Sequence, residues 1–214
     1  MRRIGHFRGH ALRPVAALHC LNATASSALC RAGPRGHSQK GRVHVLVLGI
    51  DPGTAITGFG LVSDEGGGLR CVGMGCIRTA AHTPLPERLT TIHSKLSALI
   101  ARHRPDCVAI EQLFFNTNAT SALAVGHARG VALLAACQAG LPVSEYTPLQ
   151  VKLAVAGYGK ADKKQMQSMV RLLLGLDSEP RPDDVADALA IAICHINSAP
   201  YHVMMSRNVW GDAQ

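Results

Sequence analysis

Four acids in this 214-residue chain stand where carboxylates could do joint chemistry: Asp51, Glu111, Asp184 and Asp187. Asp51 is the first acidic residue, and it ends the apolar run VLVLGID just before Pro52, Gly53 and Thr54. That pattern reads as a buried strand that carries one charge to its carboxyl end and then turns sharply. Glu111 stands near the end of a second apolar run, DCVAIEQLFF, over residues 106–115. Asp184 and Asp187 are three apart at the start of an apolar helical segment, so they share a face. A charge delivered by a buried strand needs a partner. Each acid alone has a plainer use. Asp51 could cap its turn, Glu111 could be a solvated edge residue, and Asp-x-x-Asp at a helix start resembles a cap favoured by the helix dipole. Taken together they suggest more, because ligands in open α/β sheets gather at the carboxyl ends of strands. Four converging carboxylates cannot all ionise without a counter-charge. An all-oxygen set suits a hard cation, Mg2+ with Mn2+ as a substitute. Two such ions per site can stabilise the attacking and leaving oxygens of a phosphodiester displacement and activate the water.

The elements that must hold these acids follow from hydrophobic period. Residues 43–51, 57–64 and 69–79 read as three strands, with EGGG at 65–68 as a hairpin turn. Residues 86–103 place Leu89, Ile92, Leu96, Leu99 and Ile100 at helical spacing, and Pro105 ends that helix. Residues 106–115 read as a fourth strand and 142–148 as a short fifth. Between them, 117–139 is an apolar helix rich in small residues, suited to a central position or an interface. Residues 160–176 and 182–198 read as two further helices. The last carries the stripe Val185, Leu189, Ala192, Ile193 and Ile196 opposite its acids, with Asp183 read as a cap. His195 lies too far down this helix for a metal role. A meander followed by helix–strand alternation predicts an α/β fold with a mixed five-stranded sheet flanked by helices.

Composition narrows the partners. The net charge is +8, but residues 1–43 hold eight Lys and Arg and no acid, leaving 14 basic against 14 acidic residues in the body. Global charge therefore does not argue for nucleic acid, and any basic surface must be local. No apolar run reaches the roughly 18 residues of a membrane span. Seven scattered cysteines, with no CxxC pair, read as thiols in a reducing compartment. Residues 1–42 read as a basic, disordered extension, with an organelle transit peptide or a misassigned start also open. Residues 43–198 form the expected domain, and 199–214 a flexible tail.

Five segments in order, LGIDPGTAITGFG, AIEQLFF, ATSALAVGHARGVALLAA, EYTPLQVKLAVAGYGKADKKQM and DDVADALAIAICH, resemble the bacterial RuvC family of Holliday-junction resolvases. The likeness covers about residues 43–197. It implies a ribonuclease-H-like fold, a cytoplasmic homodimer that nicks four-way DNA junctions in recombination and repair, and work with the RuvA and RuvB branch-migration proteins. By motif position, the metal-binding acids of the family fall on Asp51, Glu111, Asp184 and Asp187. Phe114 matches an aromatic that stacks on bases near the junction point, and Phe115 is a weaker candidate. Lys152 and Lys163 match basic positions near the scissile phosphate, where a cation offsets transition-state charge. Cations at a helix start oppose the dipole, so Lys160, Lys163 and Lys164 together suggest a phosphate-binding patch. Two other readings stand beside this one. The DPGT turn also occurs in actin-like ATPases, although about 170 body residues are few for that two-domain fold. A catalytically silent junction-binding protein would keep Phe114 and the lysines but would not need the four acids.

Overall fold

β1 (Val45–Asp51) is buried on both faces, which explains its unbroken apolar run. The computed structural model describes residues 45–66, 68–112 and 119–209, with backbone alone over 119–121 and 199–209. The chain continues with β2 (Ile56–Asp64), β3 (Leu69–Arg78), α1 (Leu85–His103), β4 (Cys107–Glu111) and α2 (Ala119–Gln138). It ends with β5 (Val143–Tyr146), α3 (Pro148–Ala156), α4 (Lys163–Leu173) and α5 (Asp183–Val209). The sheet order is β3-β2-β1-β4-β5. β1, β2 and β3 form an antiparallel meander, while β4 runs parallel to β1 and β5 parallel to β4. This is the mixed five-stranded α/β sheet that the hydrophobic pattern predicts.

Alternation along the strands decides which way each acid faces. Leu48 and Ile50 of β1 pack with Ile92, Leu96 and Ala132 on the side covered by α1 and α2. Val47 packs with Val151, Val170 and Leu189 on the side covered by α3, α4 and α5. Asp51 has the parity of Val47, so it faces the α5 side. Glu111 shares the parity of Cys107 and Ala109, which belong to that same core. The two strand-end acids therefore face one helix layer.

α5 lies directly on β1 and β2 because glycine removes the side chains between them. Gly49 and Gly58 mark the contact, and Gly58 is the cross-strand partner of Asp51. A Cβ on Gly58 would come within 1.9 Å of the Asp184 carbonyl oxygen, and one on Gly49 within 2.0 Å of that of Ala188. The obstacles are backbone atoms of a buried helix, which have no rotamer by which to yield.

Several expected boundaries shift. The fourth strand is described to Glu111, and Gln112 N–H donates to the Tyr146 carbonyl, while the rest of the expected strand, 113–115, lies outside the described residues. The fifth strand stops at Tyr146, since Pro148 opens α3, a helix not anticipated from hydrophobic period. α4 begins at Lys163 rather than 160 because Asp162 caps it. The last helix does not give way to a tail at 199 but continues to Val209. The extension 1–42, Phe114, Phe115 and residues 210–214 lie outside the described residues.

Gly58→Ala should lower unfolding stability by about 1 to 3 kcal/mol, the usual cost of overpacking. Gly68→Ala, where an added Cβ meets nothing within 4 Å, should change it by less than about 0.5 kcal/mol. Urea denaturation of the two variants measures the difference.

Candidate active site

Asp184 and Asp187 stand on the first turns of α5, where that helix crosses β1 and β2. Asp51 and Glu111 reach the same place from the ends of their strands. All four side chains are part-buried rather than fully exposed. None of the four forms an ion pair among the described residues.

Their mutual field is visible in their acidity. Burial pushes the Asp51 carboxyl up to about 7, helped by Asp187, Glu111 and Asp184 and opposed by Lys163. Burial raises Glu111, with Asp187 adding to it. Asp187 is raised by burial against the pull of Lys163, with Asp183 and Asp184 reinforcing the rise. The four acids thus lie within electrostatic reach of one another. Among the described residues, however, no three of them stand close enough to cage an ion as they are. The donor set, four carboxylates with no thiolate or imidazole, fits a hard divalent cation.

Two short helices set cations beside the acids. α3 starts at Thr147, whose Oγ1 accepts from Gln150 N–H at 3.1 Å while Gln150 Oε1 accepts from Thr147 N–H at 2.8 Å. This capping box, with Pro148 in the first turn, fixes the helix that carries Lys152. α4 has the same device in Asp162 and Gln165, at 2.8 and 2.9 Å. The anionic cap offsets the unfavourable placing of Lys163 and Lys164 in its first turn. A cavity of about 210 Å³ opens between these helices and the acids. Glu111, Asp187, Lys152 and Lys163 supply its polar lining, with Val151 and Met166 among its apolar walls. Lys160 and Lys164 are exposed and do not line it.

Asp183 is the first residue of α5 rather than its cap, and its carboxylate is turned to α4. Its Oδ2 pairs with Lys163 Nζ at 2.8 Å, and its Oδ1 accepts from Gln167 Nε2 at 2.7 Å. Lys163 and Gln167 are four apart on α4, so one carboxylate meets both. That spacing was the available signal for the clamp. His195 sits deeper, with Nδ1 2.9 Å from the Tyr146 hydroxyl and Nε2 3.2 Å from Cys107 Sγ. These contacts place it in the core between β4, β5 and α5. Arg129 of α2 pairs with Glu145 of β5.

A mixed five-stranded α/β sheet with four part-buried acids facing one helix layer is the arrangement that the ribonuclease-H-like resemblance implies. The family model for crossover junction endodeoxyribonuclease RuvC matches residues 47–195. The crossover junction endodeoxyribonuclease RuvC of Desulfitobacterium hafniense is 62% identical over 154 residues, covering 72% of this chain and 93% of that relative. Its counterpart in Chloroflexus aurantiacus is 61% identical over 153 residues, covering 72% and 93%. A solved structure of Thermus thermophilus RuvC in complex with Holliday junction substrate is 42% identical, with a TM-score of 0.71, over 74% of this chain and 96% of that one. This chain belongs to the RuvC family of crossover junction endodeoxyribonucleases. Membership favours the nuclease over the actin-like ATPase. No helix among the described residues is long and apolar enough to cross a membrane.

The raised pKa of Asp51 has a consequence for stability. The folded state holds this proton more tightly than the unfolded chain, whose Asp titrates near 3.8. Its contribution to stability is therefore full below that value and is lost as pH rises through about 7. In EDTA, the thermal midpoint of the wild type should fall between pH 5.5 and pH 8. Asp51→Asn should remove much of that slope, at about 2 to 4 °C per kcal/mol. An unchanged slope in the variant would show that Asp51 is not the titrating group.

Proposed function

We propose that the chain hydrolyses phosphodiester bonds at four-way DNA junctions, resolving Holliday junctions by paired nicks during recombination and repair. The observation that supports this reading is the gathering of Asp51, Glu111, Asp184 and Asp187 within electrostatic reach of one another at the start of α5, with Lys152 and Lys163 lining a cavity beside Glu111 and Asp187. The four carboxylates would hold two Mg2+ ions, with Mn2+ able to replace them. When bound, the ions supply Lewis acidity and lower the pKa of water. Water attacks phosphorus in line and the bond to the 3′ oxygen breaks, leaving 5′-phosphate and 3′-hydroxyl ends. Lys152 and Lys163 donate to the non-bridging oxygens, where negative charge builds in the transition state. Lys160 and Lys164, exposed near the mouth, contact flanking phosphates, which positions the duplex without reading its sequence. Phe114 stacks on an unpaired base at the junction point.

Two-fold junction symmetry calls for a C2 dimer with one site for each of two opposing strands. α2 is suited to the interface. Leu123 and Leu134 are 62% and 50% exposed on this helix, and a Cβ at Gly130, between them in sequence, would meet nothing within 4 Å. Exposed apolar side chains of this size on a helix of small residues favour a second copy as partner. The nuclease domain spans residues 43–198, behind a basic extension at 1–42. The enzyme works in the bacterial cytoplasm with RuvA and RuvB, a partnership drawn from the family alone.

A synthetic four-way junction tests the reading. Wild-type protein should nick it symmetrically with Mg2+ and leave it intact in EDTA. Asp51→Asn should lower the cleavage rate by at least about a hundredfold while retaining junction binding in a gel-shift assay. Lys152→Met should lower the single-turnover rate by about tenfold to a hundredfold, with little change in junction affinity. Normal cutting by Asp51→Asn would overturn the site assignment.

A further inference from the structure

We propose that Asp183, which is not one of the four site acids, is a positioning residue that holds the Lys163 ammonium at the rim of the site and keeps it out of the carboxylate cluster. The inference rests on the proposed role of the four acids.

The geometry is specific. Lys163 lines the cavity with Glu111 and Asp187 while its Nζ is bonded to Asp183 at 2.8 Å. The other Asp183 oxygen is fixed by Gln167 at 2.7 Å, so the carboxylate cannot swing freely. Lys163 and Asp183 are both about half exposed, at 58% and 53%. An ammonium has three donors. One is spent on Asp183, and two remain for a phosphate oxygen at the cavity mouth.

The need for such a tether follows from charge. None of the four acids forms an ion pair among the described residues, so no cation is bonded to the cluster. Lys163 is the cation that acts on both Asp51 and Asp187. A flexible lysine so placed would be drawn onto these carboxylates, where it would neutralise them and compete with a divalent cation for their oxygens. Asp183 supplies an alternative anion on the outer side. Its hydrogen bond is the leading cause of the raised Lys163 pKa, ahead of Asp187 and Asp184. The tether thus keeps the lysine at the cavity mouth and off the ion's ligands. The same carboxylate also joins α4 to α5, and that structural use must be separated from the electrostatic one.

Mn2+ binding to the DNA-free full chain, read by electron paramagnetic resonance of the free ion, separates them. Asp183→Asn should weaken Mn2+ binding by about threefold to tenfold. Asp183→Asn combined with Lys163→Met should restore wild-type Mn2+ affinity, although cleavage stays low because the lysine is gone. Gln167→Met, which removes one of the two α4–α5 bonds at Asp183 but leaves its charge and its bond to Lys163, should bind Mn2+ as the wild type does. Unchanged Mn2+ affinity in Asp183→Asn, or a loss that the Lys163→Met combination fails to restore, would overturn the proposal and leave the four-acid site standing. Failure of the wild type itself to bind Mn2+ would overturn both.

Discussion

The site depends on one contact, the seating of α5 directly on the backbone of β1 and β2. Asp184 and Asp187 ride on α5, and Asp51 ends the strand beneath it. The helix comes this close because Gly49 and Gly58 present no side chain to the Ala188 and Asp184 carbonyls. A layer of side chains at ordinary helix-on-sheet spacing would lift the α5 acids away from Asp51. The apolar face of α5 then holds the position. Val185, Leu189, Ile193 and Cys194 are all buried in the core beneath and around it.

Against that packing works the repulsion the packing creates. Asp51 is pushed up to about 7, first by its burial and then by three neighbouring carboxylates. A protein without a use for these acids would gain stability by replacing them. The strain makes sense where a divalent cation relieves it, and it is part of what gives such an ion its affinity. The surrounding cations are arranged in accord with that. Lys152 and Lys163 stand at the cavity beside the acids, and Lys163 is tied outward to Asp183.

Much of this was legible in the sequence. The sheet, its meander and the four acids followed from hydrophobic period and from the placing of single charges at the ends of apolar runs. That Asp51 and Glu111 share a face follows only from the parallel register of β1 and β4, which pairs Val47 with Cys107 and Gly49 with Ala109. α3 escaped because PLQVKLAVA is apolar on nearly all sides and has no helical stripe. Its start was nevertheless written in Thr147, Pro148 and Gln150, a capping box with proline in the first turn. The close approach at Gly49 and Gly58 was hidden because glycine in a strand reads the same whether it faces solvent, a bulge or another backbone. The role of Asp183 was hidden for a different reason. Its partners Lys163 and Gln167 lie 20 and 16 residues earlier on another helix, so the pairing exists only once α4 packs on α5.

Anomalous diffraction from crystals grown with Mn2+ tests the central assignment most directly. Manganese should bind with Asp51 among its ligands and with Glu111, Asp184 and Asp187 completing the protein's contribution, and Lys163 should remain on Asp183. Manganese seated away from Asp51, in crystals of protein that cleaves junctions with the same ion, would contradict the assignment of the active site.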